Sequence, residues 1–357
     1  MKKKNNKETK NVFGNLDKSK IKVERQIVTE SLRTNYMPYA MSVIISRAIP
    51  EIDGFKPSHR KLLYTMYNMG LLNSGAKYTK SANIVGQGMK LNPHGDATIY
   101  ETMVRLTDAN EALLFPFIDA KGSFGKHYSR DMAPAASRYT EARLLKSCEL
   151  IFNDIDKDAV EFIPSYDGTM MEPVLLPTAY PNILINNNQG IAVGMASNIC
   201  SFNLEEVCKA TIGLMKKDNY DVLEDIKGPD FPTGGLYLYN QKDLNEVCNT
   251  GRGGFKVRSV YTYDKKQNRI EITEIPYSTT IELIIDKIID LVKNNKIKEI
   301  SDVRDETDLN GLRLTIDLKK GTDPDKLMNK LFKSTTLEDT FSCNFNLFSW
   351  LSTISFF

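Results

Sequence analysis

The sequence predicts an α+β protein in which a largely helical first half is followed by a second half that mixes strands with helices. In the first half, apolar residues recur at helical spacing over residues 27–48 and again over residues 58–69. From Val160 onward the pattern changes, because prolines punctuate a series of short apolar runs. A helical first part followed by strands that are confined to the second part favours an α+β protein.

The second half has its own succession of elements. Extended patterns predict strands at residues 236–239, 255–263, 269–275 and 312–318, and amphipathic spacing predicts helices at about residues 280–294 and 324–333. Residues 251–254 form a Gly-Arg-Gly-Gly run, but no strand-to-helix context with a Lys-Ser/Thr ending follows it. We therefore exclude a nucleotide-binding loop at this position.

Composition indicates an ordinary globular protein. The 357 residues are enough for two domains, 41% of them are hydrophobic and 26% are charged. The formal net charge is only +2, so any basic binding surface must be local. Five scattered cysteines without a Cys-x-x-Cys pair argue against a disulfide framework or a zinc site and favour a reducing cytosol. Without a membrane-spanning apolar run or a signal-peptide pattern, we expect a cytoplasmic protein with no membrane partner.

Both ends of the sequence differ from its centre. Residues 1–26 are rich in Lys and Asn and predict a flexible basic arm, the alternative being a solvated tail with no specific partner. Residues 347–357 have no charges and contain the only Trp of the chain. We interpret this stretch as an atypical tail that results from a truncation or a frameshift.

A concentration of hydrogen-bond donors lies between residues 47 and 61. Its members are Arg47, Lys56, His59, Arg60 and Lys61, which come from a helix end, a turn and the start of the next helix. This layout predicts several cations set against a phosphate backbone. The alternative is a solvated charged face, although the turn residues around the cluster fix its geometry more than is usual for one.

A helix-turn-helix pattern follows. Helical segments are expected at about residues 80–89 and 96–106, with a break at residues 90–95 that contains Pro93 and Gly95. The second helix of such a pair can enter a major groove of DNA, although many helical pairs never contact DNA.

The second of these helices carries its own start signal and its own apolar stripe. Thr98 and Glu101 have capping-box spacing, and Asp96 offers an alternative N-cap. Apolar side chains at residues 99, 103 and 106 predict the buried face of this helix.

Residues 115–138 are expected to form a long loop that delivers Arg138 and Tyr139. A loop of this length inside a compact domain is uncommon unless it is functional. The apolar run that follows, through Leu144, Leu145 and Leu150, places Tyr139 near a helix N-terminus, where an anion is favoured. Arg138 is a permanent cation suited to phosphate, and a tyrosine hydroxyl is a possible covalent nucleophile. The alternative for Tyr139 is a structural ring that packs and hydrogen-bonds.

An apolar tip between two glycines occupies residues 190–195. Ile191 in this tip has two interpretations: it is a core residue, or it is an exposed wedge that inserts between base steps of DNA.

Several long motifs, in one order, resemble the A subunits of bacterial type IIA topoisomerases, the DNA gyrase and topoisomerase IV group. The matching stretches are residues 39–50, 53–60, 80–86, 93–96, 136–141 and 190–195. The resemblance covers roughly residues 27–346, and several motifs in order are far more specific than any one of them.

The resemblance implies a winged-helix (helix-turn-helix) DNA-cleavage domain followed by an α/β tower domain. The implied boundaries are a basic arm at 1–26, a winged-helix breakage-reunion domain at 27–175, a tower domain at 176–346 and the atypical tail at 347–357. The coiled coil, the C-terminal dimer gate and the β-pinwheel of the family are missing from this sequence. Since the motif that separates gyrase from topoisomerase IV lies in the missing part, supercoiling and decatenation are not distinguished.

The resemblance also assigns roles to residues. Tyr139 is implied as the nucleophile that becomes linked to a 5′ DNA end, with Arg138 stabilising charge on the phosphate. His94 and Arg47 match further active-site positions. Residues at positions of DNA-backbone contacts are Lys56, His59, Arg60, Lys61 and Arg105, and Ile191 matches an intercalating isoleucine.

The implied partners supply what this chain lacks. They are double-stranded DNA, a second A subunit and a B subunit, in an A2B2 heterotetramer. Mg²⁺ would be bound by the Toprim domain of the B subunit, which would also bind ATP, so we expect no metal and no nucleotide on this chain. The alternatives are a truncated DNA-binding fragment without turnover and a helix-turn-helix transcription factor, although the latter explains neither Arg138 and Tyr139 nor the second half.

One departure from the family pattern concerns quinolone drugs. Family members often carry a Ser and an acid on the recognition helix that hold a water–metal bridge to the drug, and here these positions are Ala97 and Glu101. Because Ala97 has no hydroxyl, we expect weaker quinolone action unless Thr98 compensates. Ala97→Ser should increase drug-stabilised cleavage in the reconstituted enzyme, and unchanged cleavage would contradict this expectation.

Overall fold

A computed structural model describes residues 26–73, 75–308 and 310–349 as a mixed α/β fold. The predictions for residues 1–25 and 350–357, which cover nearly all of the basic arm and most of the atypical tail, lie outside the described residues. No helix in the described ranges is both long enough and apolar enough to cross a bilayer.

One continuous helical stretch opens the described chain, which confirms the helix predicted for residues 27–48. It consists of α1 (Val28–Ser31), a π-helical turn (Leu32–Tyr36), α2 (Met37–Val43) and a second π-helical turn (Ile44–Ala48). Most of its apolar side chains are exposed, and its end at Ala48 is buried against the rest of the fold.

Three helices and a small sheet form the rest of the first half. The helices are α3 (Pro57–Asn68), α4 (Ser81–Gly88) and α5 (Asp96–Leu106). The antiparallel sheet has the order β1 (Thr79–Lys80), β3 (Glu141–Leu144), β2 (Ile118–Lys121), and a short helix α6 (Glu149–Phe152) follows it. Their apolar faces share one core, in which Leu63, Met66 and Ile84 are fully buried.

The start signal predicted for α5 is wrong, whereas its buried stripe is confirmed. Gly95 is the N-cap residue, and no side chain caps the helix; the Thr98 N–H donates to the Gly95 carbonyl instead. Asp96 lies inside the first turn, where its carboxylate accepts from the Ala97 N–H. Apolar residues 99, 103 and 106 are buried as the 3.6-residue period requires.

The helix predicted after Tyr139 is wrong. The residues after Thr140 form the strand β3, in which Ala142 and Leu144 are buried and Glu141 and Arg143 lie on the other face. Short apolar runs do not distinguish a strand from a helix, and here the period of two decides. The loop predicted for residues 115–138 is also interrupted, because it contains β2.

The second half is built on two antiparallel sheets and a hairpin. The hairpin pairs β4 (Phe162–Pro164) with β5 (Met171–Pro173). The larger sheet contains β6 (Asn188–Ile191), β7 (Ala196–Ile199), β8 (Leu236–Tyr237), β9 (Arg252–Arg258) and β14 (Glu338–Asn344), in the order β6-β7-β14-β9-β8. The smaller sheet contains β10 (Val260–Asp264), β11 (Arg269–Glu274), β12 (Ile300–Asp305) and β13 (Leu314–Leu318), in the order β10-β11-β13-β12.

Helices cover these sheets and close two further cores. They are α7 (Asn182–Ile185), α8 (Leu204–Lys216), α9 (Gln241–Thr250), α10 (Ile281–Lys293) and α11 (Pro324–Ser334). Residues of α8 and α9 pack with the five-stranded sheet, and residues of α10 and α11 with the four-stranded sheet.

Several predictions for the second half are confirmed, and others need correction. The predicted helices at 280–294 and 324–333 are α10 and α11, and the predicted strands at 269–275 and 312–318 are β11 and β13. The predicted strand at 255–263 is two strands, β9 and β10, which separate at Ser259, where the N–H donates to the Leu337 carbonyl. The helices and strands of the second half that were not predicted are β4, β5, α7, β6, β7, α8, α9, β12 and β14.

The first residues of the expected tail lie inside the fold. Leu347 is buried against Ile183 and Ile199. The Phe348 N–H donates to the Pro50 carbonyl at 2.9 Å, next to the end of the first helical stretch.

Candidate functional site

An open cavity of about 720 Å³ gathers most of the predicted phosphate ligands. It lies between the end of the first helical stretch, the start of α3 and the start of α5. Its lining includes Arg47, Lys56, His59, Arg60, Lys61, His94, Thr98, Glu101 and Arg105. Residues between Arg47 and Arg105 that are far apart in the sequence therefore share one surface.

Burial and neighbouring positive charges lower the pKa values of two side chains in this cavity. Burial, and then the charge of Arg105, lowers the pKa of Lys56 to about 8. Burial, and then the charges of Lys56, Arg105 and Arg60, lowers the pKa of His59 to about 3, so His59 is neutral at pH 7. The part of each shift that comes from like charges would be offset by an anion in the cavity.

Arg60, which was predicted to contact DNA, is engaged by carboxylates within the chain. Its guanidinium is 5% exposed, lies 2.8 Å from both carboxylate oxygens of Asp53, and contacts Glu51 at 2.5 Å. The Asp53 carboxylate also accepts the N–H of Leu176 at 2.9 Å. The ion pair therefore fixes α3 to the preceding turn and to the segment at Leu176, and Nε and Nη2 of Arg60 are already engaged.

Lys61 is engaged in a similar way. Its Nζ donates to the Leu91 carbonyl at 3.0 Å and lies 3.1 Å from the Glu172 carboxylate. This contact holds the segment before α5, where the His94 N–H donates to the carbonyl of buried Asn92 at 2.8 Å. His94 and Arg47 are both exposed and both line the cavity.

Tyr139 is exposed and held from its backbone. Its side chain is 65% accessible, and its N–H donates to the Ala136 carbonyl at 2.9 Å. On either side of it, the carbonyls of Ser137 and Thr140 accept the N–H groups of Ala82 and Ser81, which begin α4. The nucleophile candidate therefore sits on a fixed turn before a strand, not at the N-terminus of a following helix.

Arg138 lies over the ring of Tyr139. The guanidinium carbon is 4.6 Å from the ring centroid, a cation–π distance. This arrangement keeps a delocalised cation beside the phenol, where charge on a phosphate would develop. Neither side chain lines the cavity of the other cations, so the chain presents two separate groups of predicted site residues.

Ile191 lies at the exposed tip of the β6–β7 hairpin, and its interpretation as a core residue is wrong. Its side chain is 87% accessible. The hairpin contacts the cavity, because Lys56 Nζ donates to the Gln189 carbonyl. Gly190 permits this approach, since a Cβ at this position would overlap the Ala48 carbonyl oxygen.

The three quinolone-region residues are exposed on the first two turns of α5. Thr98 and Glu101 line the cavity, whereas Ala97 is not among its lining residues.

One hairpin near the site was missed in the sequence. Ile163 and Tyr166, from the β4–β5 hairpin, line the same cavity and are exposed. The only sequence signal was an aromatic residue in a turn, Tyr166-Asp167-Gly168. This signal does not reveal the position of the hairpin, because its proximity to α3 and α5 arises from the tertiary fold.

Metal-binding clusters are not found in the described part of the chain. No group of three or more His, Cys, Asp or Glu side chains there could hold a metal ion, and all five cysteines are free.

The comparisons with known proteins agree on one family. Residues 47–350 match the family described as the A subunit of DNA gyrase/topoisomerase IV. The DNA gyrase A subunit of Borrelia hermsii is 42% identical over 325 residues, 89% of this chain and 40% of that protein. The DNA topoisomerase 4 A subunit of Rickettsia conorii is 43% identical over 337 residues, 91% of this chain and 45% of that protein. The DNA gyrase A subunit of Helicobacter pylori is 42% identical over 322 residues, 88% of this chain and 38% of that protein.

This chain spans about two fifths of the length of these curated relatives. The family match covers most of the described residues, including the cavity, the turn at Tyr139 and the hairpin at Ile191. The chain belongs to the family of DNA gyrase and topoisomerase IV A subunits.

Proposed function

We propose that this chain carries the DNA-cleaving and DNA-rejoining residues of an ATP-dependent type II topoisomerase. The observation that carries the proposal is Tyr139, an exposed hydroxyl on a fixed turn with the Arg138 guanidinium over its ring. The first half would then act as the winged-helix cleavage domain and the second half as the tower domain. Gyrase and topoisomerase IV proteins are both among the relatives at nearly equal identity, so the activity that we propose is either supercoiling or decatenation.

The proposed chemistry is a reversible transesterification. The Tyr139 hydroxyl loses its proton and attacks a DNA phosphorus; an O–P bond forms to Tyr139 and the bond to the 3′ oxygen breaks. The 3′ oxygen leaves and takes up a proton, while the 5′ phosphate stays on Tyr139. Rejoining reverses each step, so the phosphodiester energy is retained. Arg138 would stabilise the additional negative charge on the phosphate oxygens.

The cavity supports binding of the DNA backbone. Arg47, Lys56, His94 and Arg105 are the donors that we propose to contact phosphates, and neutral His59 would donate a hydrogen bond. Ile191 at the hairpin tip would insert between base steps and kink the duplex. We propose that Arg60 and Lys61 position α3 and the segment before α5 instead of contacting DNA, since their donors pair within the chain.

The partners that we propose follow from what the site lacks. The Arg138 guanidinium lies over the Tyr139 ring, and the described residues offer no carboxylate cluster for Mg²⁺, so the residues present do not fit this ion. A B subunit would contribute the metal through its Toprim domain and would also bind ATP. A second copy of this chain would cut the opposite strand, in an A2B2 assembly located in the bacterial cytoplasm on the chromosome.

A covalent-adduct assay tests the proposal. The chain is mixed with a B subunit, Mg²⁺ and supercoiled DNA, and detergent is then added to trap protein on 5′ DNA ends. We expect an adduct that Tyr139→Phe abolishes and that the matched variant Tyr239→Phe retains, because Tyr239 is equally exposed at 63% but lies in the second half.

Two outcomes would overturn the proposal. An adduct that persists in Tyr139→Phe would assign the nucleophile elsewhere. A chain that binds DNA but forms no adduct would support the alternative function, a DNA-binding fragment without turnover.

A further inference from the structure

The loop that leads to Tyr139 is anchored outside its own half of the protein. Tyr128, in the middle of this loop, is 2% exposed and packs in the core formed by α10, α11 and the four-stranded sheet. Its carbonyl accepts the N–H of Ile281, the first residue of α10, at 3.0 Å. The loop therefore leaves the first half, enters the second core and returns to deliver Arg138 and Tyr139.

A single carboxylate oxygen collects the donors of this loop. Glu282 Oε1 accepts the Ser129 hydroxyl at 2.6 Å, the Arg130 N–H at 2.8 Å and the Asp131 N–H at 3.1 Å. The other oxygen, Oε2, lies 3.8 Å from Arg130 Nε. Hydrogen bonds to an ionised acceptor are among the stronger ones in proteins, and these three hold residues 129–131 against α10.

The titration behaviour of Glu282 agrees with this geometry. Burial alone would raise its pKa, but the hydrogen bonds from Ser129, Arg130 and Asp131 outweigh burial and lower the pKa to about 2. The carboxylate is therefore charged at neutral pH and its acceptor capacity is fully available to the loop.

The anchored segment is coupled to the turn at Tyr139 by backbone hydrogen bonds. The Lys126 N–H donates to the Met132 carbonyl at 3.1 Å, and the Ala135 N–H donates to the Ser123 carbonyl at 2.9 Å. The Ala135 carbonyl in turn accepts the Tyr100 hydroxyl at 2.6 Å. Movement of residues 129–131 would thus be transmitted along a closed loop to residues 135–139.

We propose that Glu282 is a positioning residue for Tyr139: it fastens the loop of residues 126–134 to α10 and so couples the second half of the protein to the orientation of the nucleophile. The inference rests on the proposed function, because it assigns Tyr139 the role of nucleophile. Glu282 does not contact DNA or Tyr139 in this role; it acts through the loop backbone.

Hydrogen–deuterium exchange tests the anchor independently of catalysis. In Glu282→Ala we expect the amides of Arg130, Asp131 and Tyr139 to exchange faster than in the wild-type chain, by about tenfold or more at the two that donate to Glu282. Glu282→Gln, which keeps the acceptor oxygen and the side-chain shape but not the charge, should give intermediate rates and serves if the Ala variant does not fold. Asp290→Ala, which removes an exposed carboxylate from the same helix, should match the wild type.

The adduct assay tests the coupling to Tyr139. We expect Glu282→Ala to slow adduct formation with an unchanged DNA Kd, and Glu282→Gln to recover part of the rate. Unchanged exchange at residues 126–140 in Glu282→Ala would overturn the inference, and so would faster exchange with a wild-type rate of adduct formation. If the wild-type chain forms no adduct, the proposed function fails. The inference about Glu282 is then decided by the exchange rate of the Tyr139 amide alone. An exchange rate in Glu282→Ala equal to that of the wild type overturns it.

Discussion

Three consecutive residues on α3, His59, Arg60 and Lys61, have three different surroundings although the sequence groups them in one cationic cluster. A helix turns by about 100° per residue, so neighbours in sequence face different directions. His59 lies among the cations of the cavity, Arg60 is buried on two carboxylates, and Lys61 bridges Leu91 to Glu172. The sequence identifies the type of residue correctly, but the partner of each residue depends on the tertiary fold.

Arg60→Ala should destabilise the protein more than it weakens specific phosphate contacts. Removing the guanidinium leaves the carboxylates of Glu51 and Asp53 buried without a counter-charge, which typically costs about 3–5 kcal/mol. Urea denaturation would measure the loss in the free energy of unfolding. Arg105→Ala, an exposed variant in the same cavity, should change stability by less than about 0.5 kcal/mol and weaken DNA binding instead. A stable Arg60→Ala variant with reduced DNA affinity would contradict this assignment.

Lys56 should make DNA binding sensitive to pH. The pKa of Lys56 in the free protein is lowered to about 8, so folding makes this side chain easier to deprotonate. Above this pH, Lys56 must take up a proton when it binds a DNA phosphate. Affinity should therefore fall as the pH rises through about 8, and the salt dependence of log K should become shallower by about 0.9 once the pH also exceeds the pKa of Lys56 in the complex. Fluorescence anisotropy at constant ionic strength would measure both effects. Lys56→Arg stays charged and should abolish the pH dependence; an identical decline in this variant would assign it to another group.

The residues that sequence reasoning found and missed differ in how their roles arise. Arg138 and Tyr139 are adjacent in the chain, so their association is visible in the sequence. Glu282 is 153 positions from Ser129, and its contact exists only because α10 packs beside the loop. Tyr166 likewise reaches the cavity through the packing of a hairpin against α3. Long-range contacts of this kind leave no periodic signal in a single sequence.

At the scale of elements, the helices α5, α10 and α11 were predicted well, whereas α8, α9 and several short strands were not. The helices α5, α10 and α11 have several turns of apolar spacing, and each was found at nearly its true bounds. The four residues of β3 carry only two buried side chains, too few to separate a period of two from a period of 3.6. Tyr139 was consequently assigned to the start of a helix, although the residues around it were identified correctly.

The β6–β7 hairpin supplies a prediction for DNA bending. Ile191 is almost fully exposed, so Ile191→Ala should leave the free energy of unfolding unchanged while reducing the kink in bound DNA. Energy transfer between dyes at the two ends of a short duplex would report the bend. Ile212→Ala, an exposed isoleucine on α8, should leave the bend at its wild-type value. A wild-type bend in Ile191→Ala would exclude the wedge.

At the scale of the whole molecule, the two halves are fastened at several points rather than by one continuous core. Asp53 links α3 to Leu176, Glu282 holds the loop before Tyr139, and Phe348 pairs with the backbone at Pro50. Each link places a residue of the second half against a segment that carries site residues of the first half. The second half thus sets the geometry of the proposed site as well as contributing Ile191 to it.

The last of these links gives a prediction about the C-terminal segment. Leu347 is buried against Ile183 and Ile199, next to the strand that carries Ile191, so its side chain contributes to the fold although the sequence suggested an atypical tail. Leu347→Ala should lower the free energy of unfolding by about 2–5 kcal/mol, because it removes buried methyl groups and leaves a cavity. Leu236→Ala, at a leucine that is 55% exposed, should cost much less. Equal effects of the two substitutions in urea denaturation would show that the Leu347 side chain does not contribute to the packing around Ile183 and Ile199.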